Sequence, residues 1–299
     1  MRIRLDISYD GSHFRGWARQ PHQRTVQATI EGAISRVLGG DPRLVVADEP
    51  VSALDVSVRL VVSGRTDAGV HASGQVAHLD LDDGQAARLA SSSRRTEDDD
   101  GVAALARRIR GVLGAYADAA VTRTSIAPDG FDARFSAVWR RYEYRVADDS
   151  VPYDPLERHR TTVVRGELDV AAMDAAAGAL RGLHDFAAYC KPREEATTIR
   201  TLLEFGWVRE ASGVLVATVR ADAFCHSMVR ALVGGCVAVG QGRLGVDDLV
   251  RIRDELDRVP EVKVLAARGL TLTEVGYPAD DLLAHRASQT RARRDLDAD

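Results

Sequence analysis

Cysteine is scarce in this chain of 299 residues, which contains only Cys190, Cys225 and Cys236. None of the three belongs to a Cys-x-x-Cys pair, and an odd, widely spaced set is not the pattern of a disulfide framework. No close-set group of cysteines and histidines is present that could bind zinc. We therefore predict free thiols in a reducing compartment and no metal site.

Long apolar runs are also missing, since none approaches the roughly 18 residues that cross a bilayer. The first residues, 1–6, alternate in polarity and do not form the apolar core of a signal peptide. Hydrophobic residues make up 45 % of the chain and charged residues 28 %, which is typical of a globular protein that buries a core. We expect a cytoplasmic protein with no membrane partner.

Lysine is almost absent, because only Lys191 and Lys263 among the 40 basic residues are lysine. Arginine suits phosphate, to which its planar guanidinium can donate two parallel hydrogen bonds. The net charge of −4 argues mildly against a nucleic-acid partner. The arginine content therefore does not identify a partner by itself.

Strands and helices alternate along the whole chain, which is typical of an α+β fold. Alternation of polar and apolar residues with period two predicts strands over 2–9, 57–62, 73–81, 119–126, 139–146, 160–164, 199–209, 214–221 and 270–275. Apolar residues at helical spacing and capping residues predict helices over 25–38, 102–113, 169–180, 227–239 and 246–256.

The segment 150–155, which contains two prolines, predicts a crossing between two domains. The expected organisation is an N-terminal α+β domain over 1–148, a C-terminal α+β domain over 149–283 and a disordered, charged tail over 284–299. Residues 41–56 are predicted to be a loop or insertion. Residues 82–100 are polar and of low complexity, so we expect them to be mobile.

One short segment, 63–71, places a carboxylate on a tight turn. Gly64 and Gly69 bracket Arg65-Thr66-Asp67-Ala68 and allow a sharp change of direction. A cation beside Asp67 would keep it ionised, as a nucleophile or a base requires. An ordinary turn aspartate that bonds its own backbone is the alternative, and this motif alone favours the alternative.

Two other residues stand out less clearly. Arg230 lies in an otherwise apolar helical segment, where an arginine needs a partner or a path to solvent, and this favours a paired functional role. Tyr142 lies on a predicted strand, where a tyrosine more often serves packing. His184-Asp185 lacks the nucleophile turn of a serine hydrolase, so we interpret it as structural.

Taken in order, the motifs of this chain resemble those of the tRNA pseudouridine synthase A family over nearly all of residues 1–278. The motifs that carry the resemblance are Tyr9-Asp10-Gly11 with Phe14 and Gly16-Trp17, then the segments 24–27, 64–72, 131–136, 140–144, 182–186, 223–230 and 269–272, and finally Tyr277-Pro278.

The resemblance implies the pseudouridine synthase fold, two α+β halves with mainly antiparallel sheets that meet at a central cleft. It also implies isomerisation of uridine to pseudouridine in tRNA, at positions 38 to 40 of the anticodon arm, by a homodimer. The reaction changes no oxidation state and adds no group, so we expect neither a cofactor nor a metal.

The same resemblance implies the roles of four residues. Asp67 would be the catalytic carboxylate, and Arg230 would pair with it and hold it ionised. Tyr142 would stack on the target uracil, and Arg65 would help to displace the base and contact phosphate, in keeping with the need to extract a base from its stack. Whether Asp67 attacks C1′ or removes the 2′ proton stays open.

The chain departs from the family pattern in a few places. Ala18 follows Gly16-Trp17 where glutamine is usual, and the segments 41–56 and 91–100 are longer than usual. The usual Asn-x-x-Leu-Pro stretch is not recognisable near 110–114. Two rival functions are a non-catalytic RNA-binding homologue and a carboxylate hydrolase, although the hydrolase would need a second placed carboxylate.

Overall fold

The computed structural model describes residues 1–39, 58–91, 101–192 and 197–295, with the backbone alone for 292–295. The strands are β1 Arg2–Tyr9, β2 Val61–Val62, β3 His71–Asp80, β4 Ala119–Ile126, β5 Trp139–Ala147, β6 Thr162–Val163, β7 Gly182–Asp185, β8 Ile199–Arg209, β9 Leu215–Ala221 and β10 Leu270–Gly276. The helices are α1 Val26–Val37, α2 Asp83–Ser91, α3 Gly101–Leu113, α4 Val170–Ala179, α5 Met228–Gly240, α6 Val246–Glu255 and α7 Leu283–Asp295. The predicted α+β class is confirmed.

The chain divides into two compact units. The first unit combines Met1–Val138 with Val275–Asp299, and the second unit is Trp139–Glu274. This division lies at the start of β5, whereas the sequence predicts a border after it, at 148/149. The reason is that β5 pairs along its length with β9 of the second unit.

The first unit contains an antiparallel arrangement in the order β4-β1-β3, with β2 paired to β3. The alternation in β1 buries Ile3, Leu5 and Ile7, as expected for a strand with one face on the core. Helices α1 and α3 pack against β4. Thr25 caps α1 by accepting a hydrogen bond from the backbone N–H of Ala28, which confirms the predicted start of this helix.

The predicted mobile segment 82–100 is in part a helix, α2. The Asp82 carboxylate accepts a hydrogen bond of 2.7 Å from the backbone N–H of Gln85, which satisfies a donor of the first turn. Gln85 and Leu89 are buried, so the helix has a packed face. The remainder of the segment, 92–100, and the predicted insertion 41–56 lie outside the described residues.

The predicted disordered tail, 284–299, begins inside helix α7. Leu283 and Ala287 are buried, and the Ser136 hydroxyl donates to the carbonyl of Leu283. Arg291 pairs with the Asp132 carboxylate at 2.7 Å. These contacts order residues 284–295, and the last four residues lie outside the described part of the chain.

The second unit has the strand order β10-β5-β9-β8-β7, with β6 parallel to β5. The pairs β5–β9, β9–β8 and β8–β7 are antiparallel. Helix α4 packs on β8, and α5 packs beside α4. Strand β7 was not predicted from the sequence, although its His184-Asp185 pair was assigned a structural role.

Cys190 and Cys225 form a disulfide with their Cα atoms 5.8 Å apart, within the usual range. This corrects the prediction that all thiols are free, which holds for the buried Cys236 alone. A backbone hydrogen bond of 2.9 Å from Lys191 N to the carbonyl of His226 lies beside the disulfide. The second unit therefore brings together two cysteines that are far apart in sequence.

Candidate active site

The loop between β2 and β3 carries Asp67 and is tied to the protein through its backbone. Trp17 N donates to the carbonyl of Thr66 at 3.0 Å, and Gly69 N donates to the carbonyl of Phe14 at 3.3 Å. Within the loop, Val70 N donates to the carbonyl of Asp67 at 3.2 Å. The turn is therefore closed on itself and held at both ends by one neighbouring segment.

Close approach of that segment requires glycine. Gly16 has φ +90°, and a Cβ at this position would lie 3.0 Å from the carbonyl oxygen of Thr66. Gly69 has φ +79°, which lets the loop turn back after Asp67. Gly16 and Gly69 therefore both permit the close contact between residues 14–17 and the Asp67 loop.

The side chains of the loop differ in exposure. Arg65 is exposed, Asp67 is half-buried, and Thr66 between them is buried. The Thr66 hydroxyl lies 2.7 Å from the hydroxyl of Tyr9, which is also buried. This pattern presents the guanidinium and the carboxylate to the surface while the residue between them anchors the turn.

Two buried polar side chains flank the loop. His71 accepts a hydrogen bond of 3.0 Å from Gly11 N at its Nδ1 atom. Burial raises the pKa of Tyr9 to about 12, although hydrogen bonds with Thr66 and Gln75 oppose the shift. Tyr9 therefore keeps its proton at neutral pH and remains a hydrogen-bonding group.

Tyr142 lies on β5 opposite Val219 of β9, and only 8 % of it is exposed. The ring of Phe224 lies at 89° to the ring of Tyr142, with centroids 5.1 Å apart. Aromatic rings favour this edge-to-face arrangement. Tyr142 is consequently a packed ring, held in orientation by a second aromatic residue.

Arg230 lies near the start of α5 and is half-buried, while every other residue of that helix is buried. Its Nε donates to the carbonyl of Leu265 at 2.6 Å, and Leu265 N donates to the carbonyl of Arg230 at 3.2 Å. Residue 227, just before the helix, has φ 65°, a left-handed conformation that is costly for a serine. The carbonyl of Leu265 is thus a hydrogen-bonding partner for the Arg230 guanidinium, as the apolar surroundings of this side chain require.

The charge of Arg230 acts on a neighbouring tyrosine. Burial raises the pKa of Tyr144 to about 12, while a hydrogen bond with Thr162 and the positive charges of Arg230 and Arg268 oppose the shift. The Tyr144 hydroxyl also donates to the carbonyl of Ala266 at 2.7 Å. The segment 265–268 thus positions both Arg230 and Tyr144.

The four predicted site residues fall in both units. Asp67 and Arg65 share the loop of the first unit, and Tyr142 and Arg230 belong to the second unit. Sequence reasoning assigned no role to Tyr9 or Phe224, although both lie in motifs of the family resemblance. The Tyr9 hydroxyl contacts Thr66 and the Phe224 ring contacts Tyr142. Both contacts join residues far apart in the sequence, so no local pattern could have predicted them.

Within the described residues, no group of three or more His, Cys, Asp or Glu side chains is placed to hold a metal ion. None of the helices found there has the length and apolar character that a membrane crossing requires.

The sequence profile of a family described as tRNA pseudouridine synthase matches residues 7–95 and 176–278, more than half of the chain. The chain belongs to the tRNA pseudouridine synthase family. The matched segments include Asp67, Arg65 and Arg230, whereas Tyr142 falls between them.

Curated relatives extend the similarity to the full length. The chain is 57 % identical over 295 residues to a tRNA pseudouridine synthase A of Leifsonia xyli, an alignment that covers 99 % of this chain and 98 % of the relative. It is 50 % identical to a protein of the same name from Frankia casuarinae, covering 98 % and 96 % of the two chains. For a third, from Cutibacterium acnes, the identity is 48 %, with coverage of 98 % and 95 %.

Membership of the tRNA pseudouridine synthase family confirms three predictions made from the sequence. It confirms the family itself, the pseudouridine synthase fold, and an isomerase that converts uridine to pseudouridine in tRNA.

Proposed function

We propose that this chain isomerises uridine to pseudouridine at positions 38 to 40 of the tRNA anticodon arm, with Asp67 as the catalytic carboxylate. The observation that supports Asp67 is the construction of its turn. Backbone hydrogen bonds with Phe14 and Trp17 fix the turn. The Asp67 side chain is half-buried, so it is not enclosed in the core. Such rigid placement is what a reacting group requires.

The reaction breaks the N1–C1′ bond of uridine and joins C1′ to C5 of the same uracil. The base departs with the bonding electron pair, rotates, and forms the new bond through C5. The proton on C5 is then lost and a proton is gained at N1, so that the product is an isomer of the substrate. A single carboxylate serves this sequence either by attack on C1′ or by removal of the 2′ proton.

Three other residues have supporting roles in this proposal. Arg65 is exposed and suits displacement of the base and contact with phosphate, because guanidinium groups stack on bases and donate to phosphate. Tyr142 offers a ring of fixed orientation for stacking on the uracil. Arg230 is assigned as the partner that holds Asp67 ionised.

The proposal extends to assembly and location by family resemblance. The enzyme is a cytoplasmic homodimer, with each tRNA contacting both subunits, and it uses neither a cofactor nor a metal. Sedimentation of the purified protein measures the assembly directly. A monomer at micromolar concentration, in the presence of tRNA, would contradict the dimer.

The Asp67→Asn variant tests the catalytic assignment. Unmodified tRNA labelled with tritium at uracil C5 releases tritium when C1′ takes that position. We expect release with the unaltered enzyme and none above background with Asp67→Asn, while filter binding shows similar affinity of both proteins for tRNA. Asp129→Asn is the matched control, because Asp129 is an exposed turn aspartate before a glycine in the same unit.

Two results would contradict the proposal. Equal release by Asp67→Asn and the unaltered enzyme would remove Asp67 from the chemistry, and absence of release by the unaltered enzyme would favour the non-catalytic RNA-binding homologue. Transcripts in which U38, U39 and U40 are replaced by cytidine, singly and all together, test which positions of the tRNA are modified. Full release from a transcript that lacks all three uridines would exclude the anticodon arm as the target.

A further inference from the structure

A buried amide lies beneath the Asp67 loop. Gln75 of β3 is 0 % exposed. Its Oε1 accepts from the Ser63 hydroxyl at 2.8 Å and from Val76 N at 3.1 Å. Its Nε2 donates to the carbonyl of Gly64 at 2.9 Å. This one side chain joins the strand after the loop to the two residues that begin the loop.

The same amide reaches a buried tyrosine. Gln75 Nε2 donates to the Tyr9 hydroxyl at 3.4 Å, a long bond, and that hydroxyl lies 2.7 Å from the Thr66 hydroxyl. Tyr9 and Thr66 are 5 % and 7 % exposed, so water competes little for these bonds. A buried network in which each member is satisfied gives rigidity to the groups that it joins.

Thr66 is the residue next to Asp67 and is held on two sides. Its hydroxyl meets Tyr9, and its carbonyl accepts from Trp17 N at 3.0 Å. A residue restrained at both its side chain and its backbone cannot rotate without breaking one of these bonds. The direction in which the Cα–Cβ bond of Asp67 points depends on that rotation.

We propose that the hydroxyl contact between Tyr9 and Thr66, supported by Gln75, is a positioning device that sets the direction of the Asp67 carboxylate. Tyr9 and Thr66 are then positioning residues, which raise kcat and leave the affinity for tRNA unchanged. This inference rests on the proposed role of Asp67, since a carboxylate with no part in the reaction would not need a fixed direction.

Three variants test the contact. Tyr9→Phe and Thr66→Val each remove one hydroxyl at nearly constant volume, and each is expected to lower kcat by about ten- to a hundredfold, the scale on which small displacements of a reacting group act. KM for tRNA is expected to stay within about twofold. Thr66→Ser keeps the hydroxyl and is expected to retain most of kcat.

The double variant Tyr9→Phe/Thr66→Val asks whether the two residues act through one contact. If they do, the kcat of the double variant equals that of the slower single variant, because the effects of two residues that share one interaction are not additive. Independent effects that multiply would overturn the proposal. So would a Thr66→Ser enzyme as slow as Thr66→Val.

Tyr189→Phe is the matched control for loss of stability. Tyr189 is 0 % exposed and donates its hydroxyl to the carbonyl of Leu249 at 2.8 Å in the second unit. We expect a fall in Tm like that of Tyr9→Phe, with kcat unchanged. If Tyr9→Phe and Thr66→Val lower Tm but leave kcat at the level of Tyr189→Phe, their role is structural and the proposal is wrong.

Asp67→Asn, measured in parallel, separates the two hypotheses. An inactive Asp67→Asn with a fully active Tyr9→Phe removes the positioning role and leaves the catalytic assignment in place. An active Asp67→Asn removes both, because the device would then position a carboxylate that does not react.

Discussion

The rings of Phe224 and Tyr142 pack edge to face, with an angle of 89° between the ring planes and 5.1 Å between the centroids. Phe224 belongs to the short segment that leads into α5 and Arg230, whereas Tyr142 lies on β5. The contact therefore links the strand that carries the proposed stacking ring to the segment that precedes the proposed ion-pair partner.

Substitution of Phe224 by leucine is expected to lower kcat without loss of folding. An aromatic pair contributes about 0.5–1.5 kcal/mol beyond the area that it buries. If all of this free energy serves to orient Tyr142 for the transition state, its loss lowers kcat by about two- to twelvefold. Steady-state kinetics on tRNA gives the comparison. Phe224→Tyr retains the ring pair and is the matched control, so an equal loss in both variants would contradict a role for ring orientation.

Gly16→Ala is expected to reduce both stability and activity. The new Cβ would lie 3.0 Å from the carbonyl oxygen of Thr66, and the backbone has φ +90°, so the strain of about 1–2 kcal/mol falls on the Asp67 loop. Gly242→Ala is the control, because Gly242 has φ +67° with nothing within 4 Å of its Cβ position. Tm is expected to fall for both variants, whereas kcat is expected to fall for Gly16→Ala alone. Equal kcat values of the two variants would contradict a role of Gly16 in shaping the Asp67 loop.

The ion pair between the buried Asp148 and the partly exposed Arg209 predicts a pH-dependent stability. Burial would raise the pKa of Asp148, but hydrogen bonds from Arg209, Ser150 and Leu168 N outweigh it and hold the pKa below its usual value. The ionised form is therefore favoured in the folded state. Its contribution is complete at neutral pH and is lost as pH falls below about 4, the pKa of an unfolded aspartate.

Asp148→Asn should therefore cost about 2 kcal/mol at pH 7, the scale of hydrogen bonds to charged groups, and progressively less as pH falls below 4. Urea denaturation at pH 7 and pH 3 measures the difference. Asp80→Asn disrupts the more exposed pair with Arg2 and should cost less at pH 7. A deficit of Asp148→Asn that is as large at pH 3 as at pH 7 would be at odds with this account.

The Cys190–Cys225 disulfide predicts a thiol count that depends on reduction. A denatured, unreduced sample should show one reactive thiol, Cys236, and a reduced sample should show three. Opening a loop with a sequence separation of 35 should cost at most about 4 kcal/mol of stability. Cys190→Ser and Cys225→Ser should lower Tm alike, and three reactive thiols before reduction would contradict the disulfide.

Much of the fold follows from local patterns. The bounds predicted for β1, β4 and β8 agree with the structure, because strict alternation or a continuous run of strand-forming residues determines where a strand begins and ends. Thr25 indicates the start of α1 for an equally local reason, since a capping hydroxyl needs only the next turn of the chain.

The missed elements depend on distant partners. Helix α7 is highly polar in sequence, and what orders it is the burial of Leu283 and Ala287 and the pair between Arg291 and Asp132. The disulfide was missed for a related reason, because the fold, not the spacing of the cysteines, brings Cys190 to Cys225. Composition cannot reveal contacts of this kind.

For the candidate site, the sequence predicts the turn and proposes its carboxylate, but it does not predict the contacts that hold the turn. Gly64 and Gly69 mark the turn, and the ordered motifs point to Asp67 within it. The hydroxyl contact of Tyr9 with Thr66 joins residues 57 positions apart, and a glutamine such as Gln75 has no local signature as the support of a loop. Its role depends on three bonds, to Ser63, Gly64 and Tyr9, that form only after β1, β2 and β3 have paired.

The two-part composition of the first unit has a consequence for synthesis on the ribosome. Residues 130–136 are translated early, yet their partners emerge about 140–160 residues later. Gly130 lies against Ala284. Hydrogen bonds join Asp132 to Arg291, Ala133 to Tyr277 and Ser136 to Leu283. The second unit is contiguous, so all of its residues leave the exit tunnel before the C-terminal segment of the first unit does. The unit that carries Asp67 reaches its final packing only near the end of translation, so that a nascent chain interrupted before residue 277 lacks part of the support of that unit.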